Sequence, residues 1–299
     1  MLYFESNRQA AEYNLALEET LFESRRGEEI FLLWRDGPSA IVGKFQNAFR
    51  EINALTAHRM GVPVVRRESG GGCVYHDLGN INYCLMVEGD RAPGYDPFLE
   101  IAVRALRRLG IPAQRRGVCE IVAEGKKISG NAQRRSRGRT LHHGTLLFDA
   151  DLDALRGLTS CPDDAVTSKG VFSQPSEVAN MRRYFPGSAE DFLSAFREMV
   201  LPRGEALTLT REEAARAESL QSEKYSRWEW NFGRSPGFCR CRGDLRYRAN
   251  RGVIEEFFWR GTRVSAFEGA RLEISEVESL CASEFSSQAE RDLVFQSIF

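Results

Sequence analysis

Three consecutive glycines at residues 70–72 constrain this chain of 299 residues more than any other feature of its sequence. They lie inside RRESGGGCVYHDLGNINY (66–83), after the β-branched run VPVVRR (62–67) and before NINYCLMV (80–87). A turn between two strands needs one or two glycines, and every further glycine adds unfolded-state entropy that folding must overcome. We therefore expect either a tight packing point here or a ligand that approaches bare backbone.

Two common glycine fingerprints do not account for this loop. The Walker-type phosphate loop requires G-x-x-x-x-G-K-[ST], which the sequence lacks. The dinucleotide fingerprint G-x-G-x-x-G opens a helix, whereas strand-like sequence follows the glycines here. A glycine loop between strands can still bind a phosphate or a flat ligand through its backbone N–H groups. A tight bulge is the structural alternative.

The overall composition is that of an ordinary globular protein, with 42% hydrophobic and 28% charged residues. The 41 basic and 42 acidic residues give a net charge of −1, which argues against a nucleic-acid binder because such proteins carry a basic excess. No run of 18 apolar residues predicts a membrane helix, and no basic and apolar pattern at the N-terminus predicts a secretory signal. We therefore expect a cytoplasmic protein without membrane or nucleic-acid partners.

The cysteines favour reduced thiols over a disulfide framework, because their number is odd and their spacing irregular. The seven are Cys73, Cys84, Cys119, Cys161, Cys239, Cys241 and Cys281. Cys239 and Cys241 form a C-x-C pair, but no second pair or histidine follows them, so we predict no structural zinc site.

Hydrophobic periodicity predicts a mixed α/β main domain. Tyr13, Leu17 and Leu21 mark a helix, and EIFLLWRD (29–36) and SAIVGKF (39–45) resemble strands. The other predicted elements are a helix from Phe98 to Leu109, a hairpin over 120–133 that turns at Glu124-Gly125, an exposed basic loop RRSRGR (134–139), a strand over 140–149, and helices that begin at the capping boxes Ser188-x-x-Asp191 and Thr210-x-x-Glu213.

A change of composition around NFGRSPGFCRCRG (231–243) predicts a domain boundary. Gly, Pro and Arg accumulate there, and two strand candidates, GVIEEFFW (252–259) and TRVSAFEG (262–269), precede helical sequence. We interpret residues 1–236 as the main domain and residues 237–299 as a small α+β domain.

Two further stretches carry candidate chemistry. GKKISGNA (125–132) places two lysines beside small residues, where a lysine can reach a phosphate or a carboxylate as a point charge; a solvated surface lysine is the alternative. LHHGTL (141–146) contains His142 and His143, which face opposite sides of a strand. One histidine can then lie in the core and the other in a site, and neither has the spacing of a metal ligand set.

Together, these stretches resemble the lipoate–protein ligase family within the wider biotin/lipoate ligase superfamily. The resemblance rests, in chain order, on NLALEE (14–19), VGKFQN (42–47), RRESGGGCVYHDLGN (66–80), GKKISGNAQ (125–133), LHHGTLL (141–147), SKGV (168–171) and WEWNFGRSPGF (228–238). These motifs cover most of residues 10–240. The resemblance implies an α/β (α+β) mixed-sheet catalytic domain with a small C-terminal accessory domain.

The implied activity is ATP-dependent lipoylation of proteins. Such ligases activate the carboxylate of lipoate or octanoate with ATP and Mg²⁺ to an acyl-adenylate. They then transfer the acyl group to a lysine of a carrier domain, such as the glycine cleavage H protein or a 2-oxoacid dehydrogenase E2 subunit. Attack of a carboxylate on the α-phosphate joins two anions, so the site must supply positive charge and N–H donors.

The resemblance also implies residue roles. Lys127 would be the catalytic residue that bridges the acyl carbonyl and an α-phosphate oxygen. Residues that would bind the acyl group or the acyl-adenylate are Arg67, Ser69, Gly70, Gly71, Gly72, His76, Ser129, Gly130 and His143, and residues that would bind the nucleotide are Tyr75, Asn80, Glu120 and Lys127. His142 is the alternative to His143 as the inward-facing histidine, and no residue is assigned as a metal ligand.

Three departures from the family pattern concern charge. Lys44 stands where a Gly-Arg-Asn-Gln-Asn motif has its arginine, and Glu177 in SEVANM (176–181) stands where a Ser-Arg-Val-x-Asn-Leu pattern has arginine. Cys119-Glu120 replaces an Asn-Asp pair. Lysine does not reproduce the bidentate contacts of arginine with phosphate, and glutamate reverses the charge.

Two other functions are open at this stage. An ATP-independent octanoyl or lipoyl transferase of the same superfamily would form a cysteine thioester, and Cys119 is the candidate nucleophile. Its neighbour Glu120 is expected to raise the pKa of the Cys119 thiol, which disfavours that route. A non-catalytic paralogue that binds an acyl-adenylate or a carrier would agree with the three departures.

Overall fold

The computed structural model describes residues 1–89, 94–159 and 165–299, so Cys161 lies outside the described residues. The strands are β1 Leu2–Ser6, β2 Ile30–Trp34, β3 Ser39–Val42, β4 Val64–Arg66, β5 Val74–His76, β6 Asn80–Glu88, β7 Ala113–Arg116, β8 Glu120–Ala123, β9 Lys126–Ser136, β10 Arg139–Leu147, β11 Val166–Ser168, β12 Glu205–Ala206, β13 Phe238–Arg242, β14 Leu245–Asn250, β15 Val253–Trp259 and β16 Thr262–Arg263. The helices are α1 Ala11–Ser24, α2 Ala48–Glu51, α3 Ala54–Arg59, α4 Asp96–Arg108, α5 Leu152–Thr159, α6 Ala189–Val200, α7 Arg211–Leu220, α8 Trp228–Asn231, α9 Ile274–Glu284 and α10 Gln288–Ile298. Within the described ranges, no helix is long and apolar enough to cross a membrane.

An eight-stranded mixed sheet forms the centre of the fold, in the order β12-β1-β2-β6-β10-β9-β8-β7. β1 pairs in parallel with β12 and β2, and the other neighbours are antiparallel. The hairpin predicted over 120–133 is β8 and β9, and Glu124 and Gly125 at its turn both have positive φ (49° and 79°). The predicted mixed-sheet α/β fold is confirmed.

The two faces of this sheet bury separate cores, because alternate residues of a strand point to opposite sides. On one face, Phe31 and Tyr83 pack against α4 and α6. On the other face, Leu32 and Trp34 pack against α1, whose Leu17 lies in the same cluster. The helix predicted from the spacing of Tyr13, Leu17 and Leu21 is thus confirmed as α1, and the face that it covers carries the candidate site.

The two predicted capping boxes are confirmed at the starts of α6 and α7. Ser188 accepts a hydrogen bond from the backbone N–H of Asp191, and the Asp191 carboxylate accepts one from the backbone N–H of Ser188. Thr210 and Glu213 make the same reciprocal pair. Each box satisfies N–H groups that the first helical turn leaves without a partner.

A separate three-stranded sheet, in the order β4-β3-β5, presents the glycine loop. β3 is parallel to β4 and antiparallel to β5, and residues 67–73 connect β4 to β5. The turn at residues 36–38 does not make a hairpin, because β2 before it belongs to the eight-stranded sheet and β3 after it to this one. The turn therefore carries the chain from one sheet to the other.

The C-terminal residues 238–299 supply four strands of a five-stranded antiparallel sheet and the helices α9 and α10, which together enclose a second core. Its edge strand β11 comes from an earlier part of the chain, and Phe49 also packs into this core. The predicted strand TRVSAFEG contributes only the two residues of β16, because Ser265–Phe267 forms a 3-10 turn. The sequence interpretation of this module identified β15 and part of β16 but not β11, β13 or β14.

The segment RRSRGR (134–139), predicted as an exposed loop, is exposed at Arg135, Arg137 and Gly138, but the prediction is wrong about the loop and about Arg139. β9 continues to Ser136 and β10 begins at Arg139, so the segment is the end of a β-hairpin. Arg139 is 1% exposed, and its guanidinium donates to Glu88, its cross-strand partner on β6 (2.6 Å). A run of arginines signals solvent exposure only when no distant carboxylate pairs with it, and local composition does not reveal such a partner.

Candidate active site

Arg67 holds the glycine loop from inside. Its guanidinium donates to the backbone oxygens of Gly70 (2.6 Å), Gly72 (2.7 Å) and Ile41 (3.2 Å) and to Ser69 Oγ (3.0 Å). Burial lowers the pKa of Arg67 to about 10, so the side chain stays charged at neutral pH. The planar fork of arginine can serve several acceptors at once, which an ammonium group in one position cannot do.

Gly71 explains why the loop carries no side chains at its centre. Its φ of +87° lies in the left-handed region that favours glycine. Its carbonyl oxygen packs so closely on Gly43 that a Cβ there would lie 2.2 Å away, and a Cβ on Gly72 would lie 3.1 Å from Ser173 Oγ. Gly71 and Gly72 also line a cavity. The loop is therefore both a packing point and a wall of bare backbone.

One row of residues crosses five strands and forms the floor of that cavity. Trp34 pairs with Asn82, Asn82 with Thr145, and Gly130 with Glu120, while Thr145 Oγ1 accepts from the N–H of Gly130 (3.2 Å). All five residues line the cavity. Since neighbouring strands lie about 4.8 Å apart, the row spans roughly 19 Å.

Lys127 lies at one end of this row, held by a carboxylate. Its Nζ is 3.0 Å from Glu120 Oε1, and Glu120 also accepts from Arg116 Nε (2.9 Å). Burial alone would raise the pKa of Glu120, but the hydrogen bonds from Lys127 and Arg116 hold it below its usual value. Two backbone hydrogen bonds fix the position of Lys127 on β9. Its N–H donates to the carbonyl oxygen of Glu177 (2.8 Å), and its carbonyl oxygen accepts from the N–H of Ala179 (2.9 Å).

Of the two adjacent histidines, His143 lines the cavity. Its Nδ1 is 2.8 Å from Glu18 Oε1 on α1, and its Nε2 is 2.6 Å from Ser69 Oγ. His142 points to the opposite face, where it stacks on Phe98 with ring centroids 4.7 Å apart. Burial lowers the pKa of His142 to about 3, so this ring is neutral.

The cavity enclosed by these elements has a volume of about 380 Å³ and two unlike ends. At one end, the side chains of Lys127 and Glu120 are 22% and 20% exposed. At the other end, the lining residues are at most 4% exposed; they are Leu15, Trp34, Ile41, His76 and Asn82. A ligand with an anionic head and an apolar tail would place its head at Lys127 and its tail at the buried end.

Several predicted site residues meet in this cavity and others do not. Those that line it are Arg67, Gly71, Gly72, His76, Glu120, Lys127, Gly130 and His143. Ser69 and Ser129 are buried behind the lining, where they bond to His143 and Asn131, and Gly70 faces Phe45 instead. Tyr75 packs into an apolar cluster with Ala40 and Val42, and Asn80 donates to Asn82 Oδ1 (2.9 Å).

The two departures at family arginine positions lie outside the cavity lining. Lys44 Nζ pairs with Glu68 (2.7 Å), and Glu177 pairs with Lys126 (2.6 Å) while its own side chain is 71% exposed. The reversed charge of Glu177 therefore meets a neighbouring lysine rather than the cavity. Cys119 does line the cavity, and burial raises the pKa of its thiol.

Sequence reasoning missed residues 171–174, which form another wall of the cavity. Ser173 Oγ accepts from the N–H of Cys73 (2.9 Å) and from Gln46 Nε2 (3.0 Å), and so ties this segment to the glycine loop. The motif SKGV (168–171) ends where the segment begins, which was the only sequence signal for it.

The part of the chain that forms this cavity also matches a known protein family in sequence. Residues 10–200 match the model of the lipoyl protein ligase A/B catalytic domain. The chain belongs to this family. The match includes every residue named above as lining the cavity.

Two curated members of the family are similar to this chain over most of its length. It is 37% identical to lipoate–protein ligase LplJ of Bacillus subtilis over 235 residues, which cover 75% of this chain and 71% of that protein. It is 36% identical to lipoate–protein ligase 1 of Staphylococcus aureus over 232 residues, with coverage of 75% and 71%.

Several solved structures share the fold of this chain. A bi-partite lipoate protein ligase of Thermoplasma acidophilum, studied with its E2 lipoyl domain, has a TM-score of 0.66 at 27% identity and covers 78% of this chain and 95% of its own. Lipoate–protein ligase A bound with ATP has a TM-score of 0.61 at 28% identity, with coverage of 78% and 97%. A lipoate complex from P. falciparum has a TM-score of 0.67 at 18% identity and covers 99% of this chain and 98% of its own, a likeness in fold that includes the C-terminal module.

Proposed function

We propose that this family member is an ATP-dependent lipoate–protein ligase, which activates lipoate or octanoate and transfers the acyl group to a lysine of a carrier domain. The observation that carries the proposal is the convergence of Gly71, Gly72 and Lys127 on one cavity. The curated relatives are named lipoate–protein ligases, and a related ligase structure holds ATP.

The residues of the cavity suit the activation step. A carboxylate oxygen of the acyl substrate attacks the α-phosphorus of ATP, the bond to the bridging oxygen breaks, and pyrophosphate leaves. Both reacting groups are anionic, so the step needs positive charge that is already in place. The ammonium of Lys127, held by Glu120, supplies that charge, and the backbone at Gly71 and Gly72 leaves space for the ligand.

The same lysine can serve the transfer step. The amine of the carrier lysine attacks the acyl carbon and releases a proton to water, the bond between the acyl carbon and the phosphate oxygen breaks, and AMP leaves with the electron pair. Negative charge develops on the acyl oxygen and on the leaving phosphate, and a donor between them stabilises both. We therefore assign Lys127 as the catalytic residue in the two steps.

We propose that Mg²⁺ enters on the phosphates of ATP as part of the substrate. The described residues contain no group of three or more His, Cys, Asp or Glu side chains placed to hold a metal ion. Mg²⁺ usually binds substrate phosphates with one or two carboxylates, and Glu120 is the one carboxylate among the described lining residues.

The acceptors that we propose are lipoyl carrier domains, either of 2-oxoacid dehydrogenase E2 subunits or of the glycine cleavage H protein. The archaeal relative studied with an E2 lipoyl domain supports the first class. We place the protein in the cytoplasm, where cysteines stay reduced. The described cysteines are free thiols, which agrees with that placement.

We propose that residues 1–236 form the catalytic unit and that residues 237–299 form an accessory unit. The glycine loop, Lys127 and the cavity lining all come from the first range, and the second supplies most of another core, to which Phe49 and Val166 also contribute. The pairing of β11 with β13 couples the two units, since β11 lies only a few residues before the cavity wall at residues 171–174.

The test of the proposed function is transfer to an apo carrier domain. Purified protein is incubated with lipoate, ATP-Mg²⁺ and the carrier, and the carrier mass is followed with and without ATP. We expect an ATP-dependent gain of one lipoyl group. Gain from an acylated carrier without ATP would identify a transferase, and ligand binding without any gain would identify a non-catalytic paralogue.

Replacing Cys119 by serine should leave lipoylation within about twofold of wild type. A thioester mechanism requires a thiolate, whereas burial raises the pKa of the Cys119 thiol, Lys127 lowers it and Glu120 raises it further. Initial rates of carrier lipoylation for Cys119→Ser and wild type measure this directly. Loss of nearly all activity in Cys119→Ser would favour the transferase instead.

A further inference from the structure

Asp36 is a buried carboxylate that ties together the closed end of the cavity. It is 0% exposed and accepts four hydrogen bonds, from Asn14 Nδ2 (2.8 Å), Trp34 Nε1 (3.1 Å), His76 Nδ1 (2.7 Å) and Asn82 Nδ2 (3.2 Å). Three of these donors, on Trp34, His76 and Asn82, belong to cavity-lining residues. One side chain outside the lining therefore fixes three side chains within it.

His76 is left with one polar atom to offer a ligand. The carboxylate of Asp36 can only accept a hydrogen bond, so Nδ1 of His76 carries a hydrogen. The other ring nitrogen, Nε2, is buried and has no hydrogen-bond partner among the described residues. His143 differs, since both of its ring nitrogens have protein partners. A buried polar atom without a partner calls for a ligand, a water molecule or a catalytic role.

His76 lies at the closed end of the cavity, where the tail of a ligand would bind, and not at the end where Lys127 would bind its head. Trp34 and Asn82, which share Asp36 with His76, stand at the opposite end of the floor row from Glu120 and its partner Lys127. That row spans roughly 19 Å. The buried apolar side chains of Leu15, Trp34 and Ile41 line the same end. Asn82, the other polar side chain at this end, already bonds to Asn80 and Asp36, so Nε2 of His76 is the polar atom left for the tail of a ligand.

We propose that Asp36 and His76 select the tail of the acyl substrate, an inference that rests on the proposed ligase function. Asp36 is a positioning residue, because it fixes the imidazole ring and leaves Nε2 for the ligand. His76 is a specificity-determining residue, because Nε2 favours a lipoyl tail, which carries sulfur atoms, over the methyl end of octanoate.

Sulfur suits this contact in either redox state of the lipoyl ring. When Nε2 bears no hydrogen, it accepts weakly from a lipoyl thiol; when the ring paired with Asp36 carries a hydrogen on both nitrogens, Nε2–H donates weakly to a sulfur of the closed lipoyl ring. A methyl end does neither and leaves Nε2 buried and unpaired. The contact is of the size of one weak hydrogen bond, so we expect it to change the ratio of kcat/KM for the two substrates by about fivefold.

The test compares lipoate and octanoate as substrates of the full chain, with pyrophosphate release measured over a range of acid concentrations. Wild type should prefer lipoate. His76→Leu should reduce the lipoate-to-octanoate ratio of kcat/KM by about fivefold, and Asp36→Ala should do so mainly by raising KM for lipoate. Asp36→Asn keeps an acceptor oxygen for Nδ1–H and should retain most of the preference.

A purely structural role for these residues predicts a different result. Both substrates would then lose activity equally in His76→Leu and Asp36→Ala, and that constant ratio would overturn the proposal, as would a wild type without preference. His58→Leu, an exposed histidine on α3, is the matched control and should keep the wild-type ratio. If wild type used neither acid, the proposed function itself would fail, and calorimetric binding of the two acids to wild type and His76→Leu would still decide whether Nε2 selects the tail.

Discussion

Replacing Lys127 by alanine should lower the rate of acyl-adenylate formation by about 10²–10³-fold, the usual loss when one donor to a developing oxyanion is removed. Pyrophosphate release from lipoate and ATP-Mg²⁺ measures this step without the carrier. The fold should survive, because the Lys127 side chain is 22% exposed and Glu120 keeps its hydrogen bond with Arg116. The unfolding midpoint in urea should therefore stay close to that of wild type.

Lys126 provides the matched control for this experiment. It precedes Lys127 on the same strand, but its side chain is 48% exposed and pairs with Glu177 outside the cavity. Lys126→Ala should keep pyrophosphate release within about twofold of wild type, as expected for a surface ion pair. Unchanged release in Lys127→Ala would rule out the role assigned to this lysine and, with it, the proposed mechanism.

Local signals in the sequence identified much of the fold. The turn of the β8–β9 hairpin was predictable because Gly125 follows Glu124 where the chain needs positive φ. The starts of α6 and α7 were predictable because a capping box lies within four consecutive residues. Such features depend on neighbours in the chain and therefore need no knowledge of the tertiary structure.

Which of two neighbouring residues reaches the cavity was harder to predict. The pairs Tyr75/His76, Ser129/Gly130 and His142/His143 each lie on a strand, where successive side chains face opposite sides. In each pair only the second residue lines the cavity. A motif match identifies both members, and the strand period separates them only once the covered face is known.

Long-range contacts account for what the sequence left unassigned. Asp36 lies in a turn, and its role depends on His76 and Asn82, which are 40 and 46 residues away in the chain. Arg139 is buried because Glu88 lies opposite on β6. Neither partnership leaves a trace in local composition, because it arises from strand order rather than from spacing.

Replacing Arg67 by methionine should destabilise the fold by about 3 kcal/mol and lower adenylate formation by about 10²-fold. Methionine has similar length but no donors, so the carbonyl oxygens of Gly70, Gly72 and Ile41 would lose their buried partner. The glycine loop would then leave the geometry in which it faces Lys127. Urea denaturation measures the first effect, and pyrophosphate release measures the second.

One further variant separates the planar guanidinium of Arg67 from its charge, and a second controls for the replacement of an arginine by methionine. Arg67→Lys keeps the charge but can serve fewer of the acceptors, so it should fall between wild type and Arg67→Met in stability and in rate. Arg59→Met, on the exposed side of α3, should match wild type in both measurements.

If Arg67→Met folded with wild-type stability and adenylated lipoate at the wild-type rate, the loop would hold its shape without the guanidinium. The close approach of Gly71 to Gly43 would then have to fix the backbone alone. The structure argues against that result, because a contact between two glycines limits how near the backbones come but supplies no donor to the buried carbonyl oxygens.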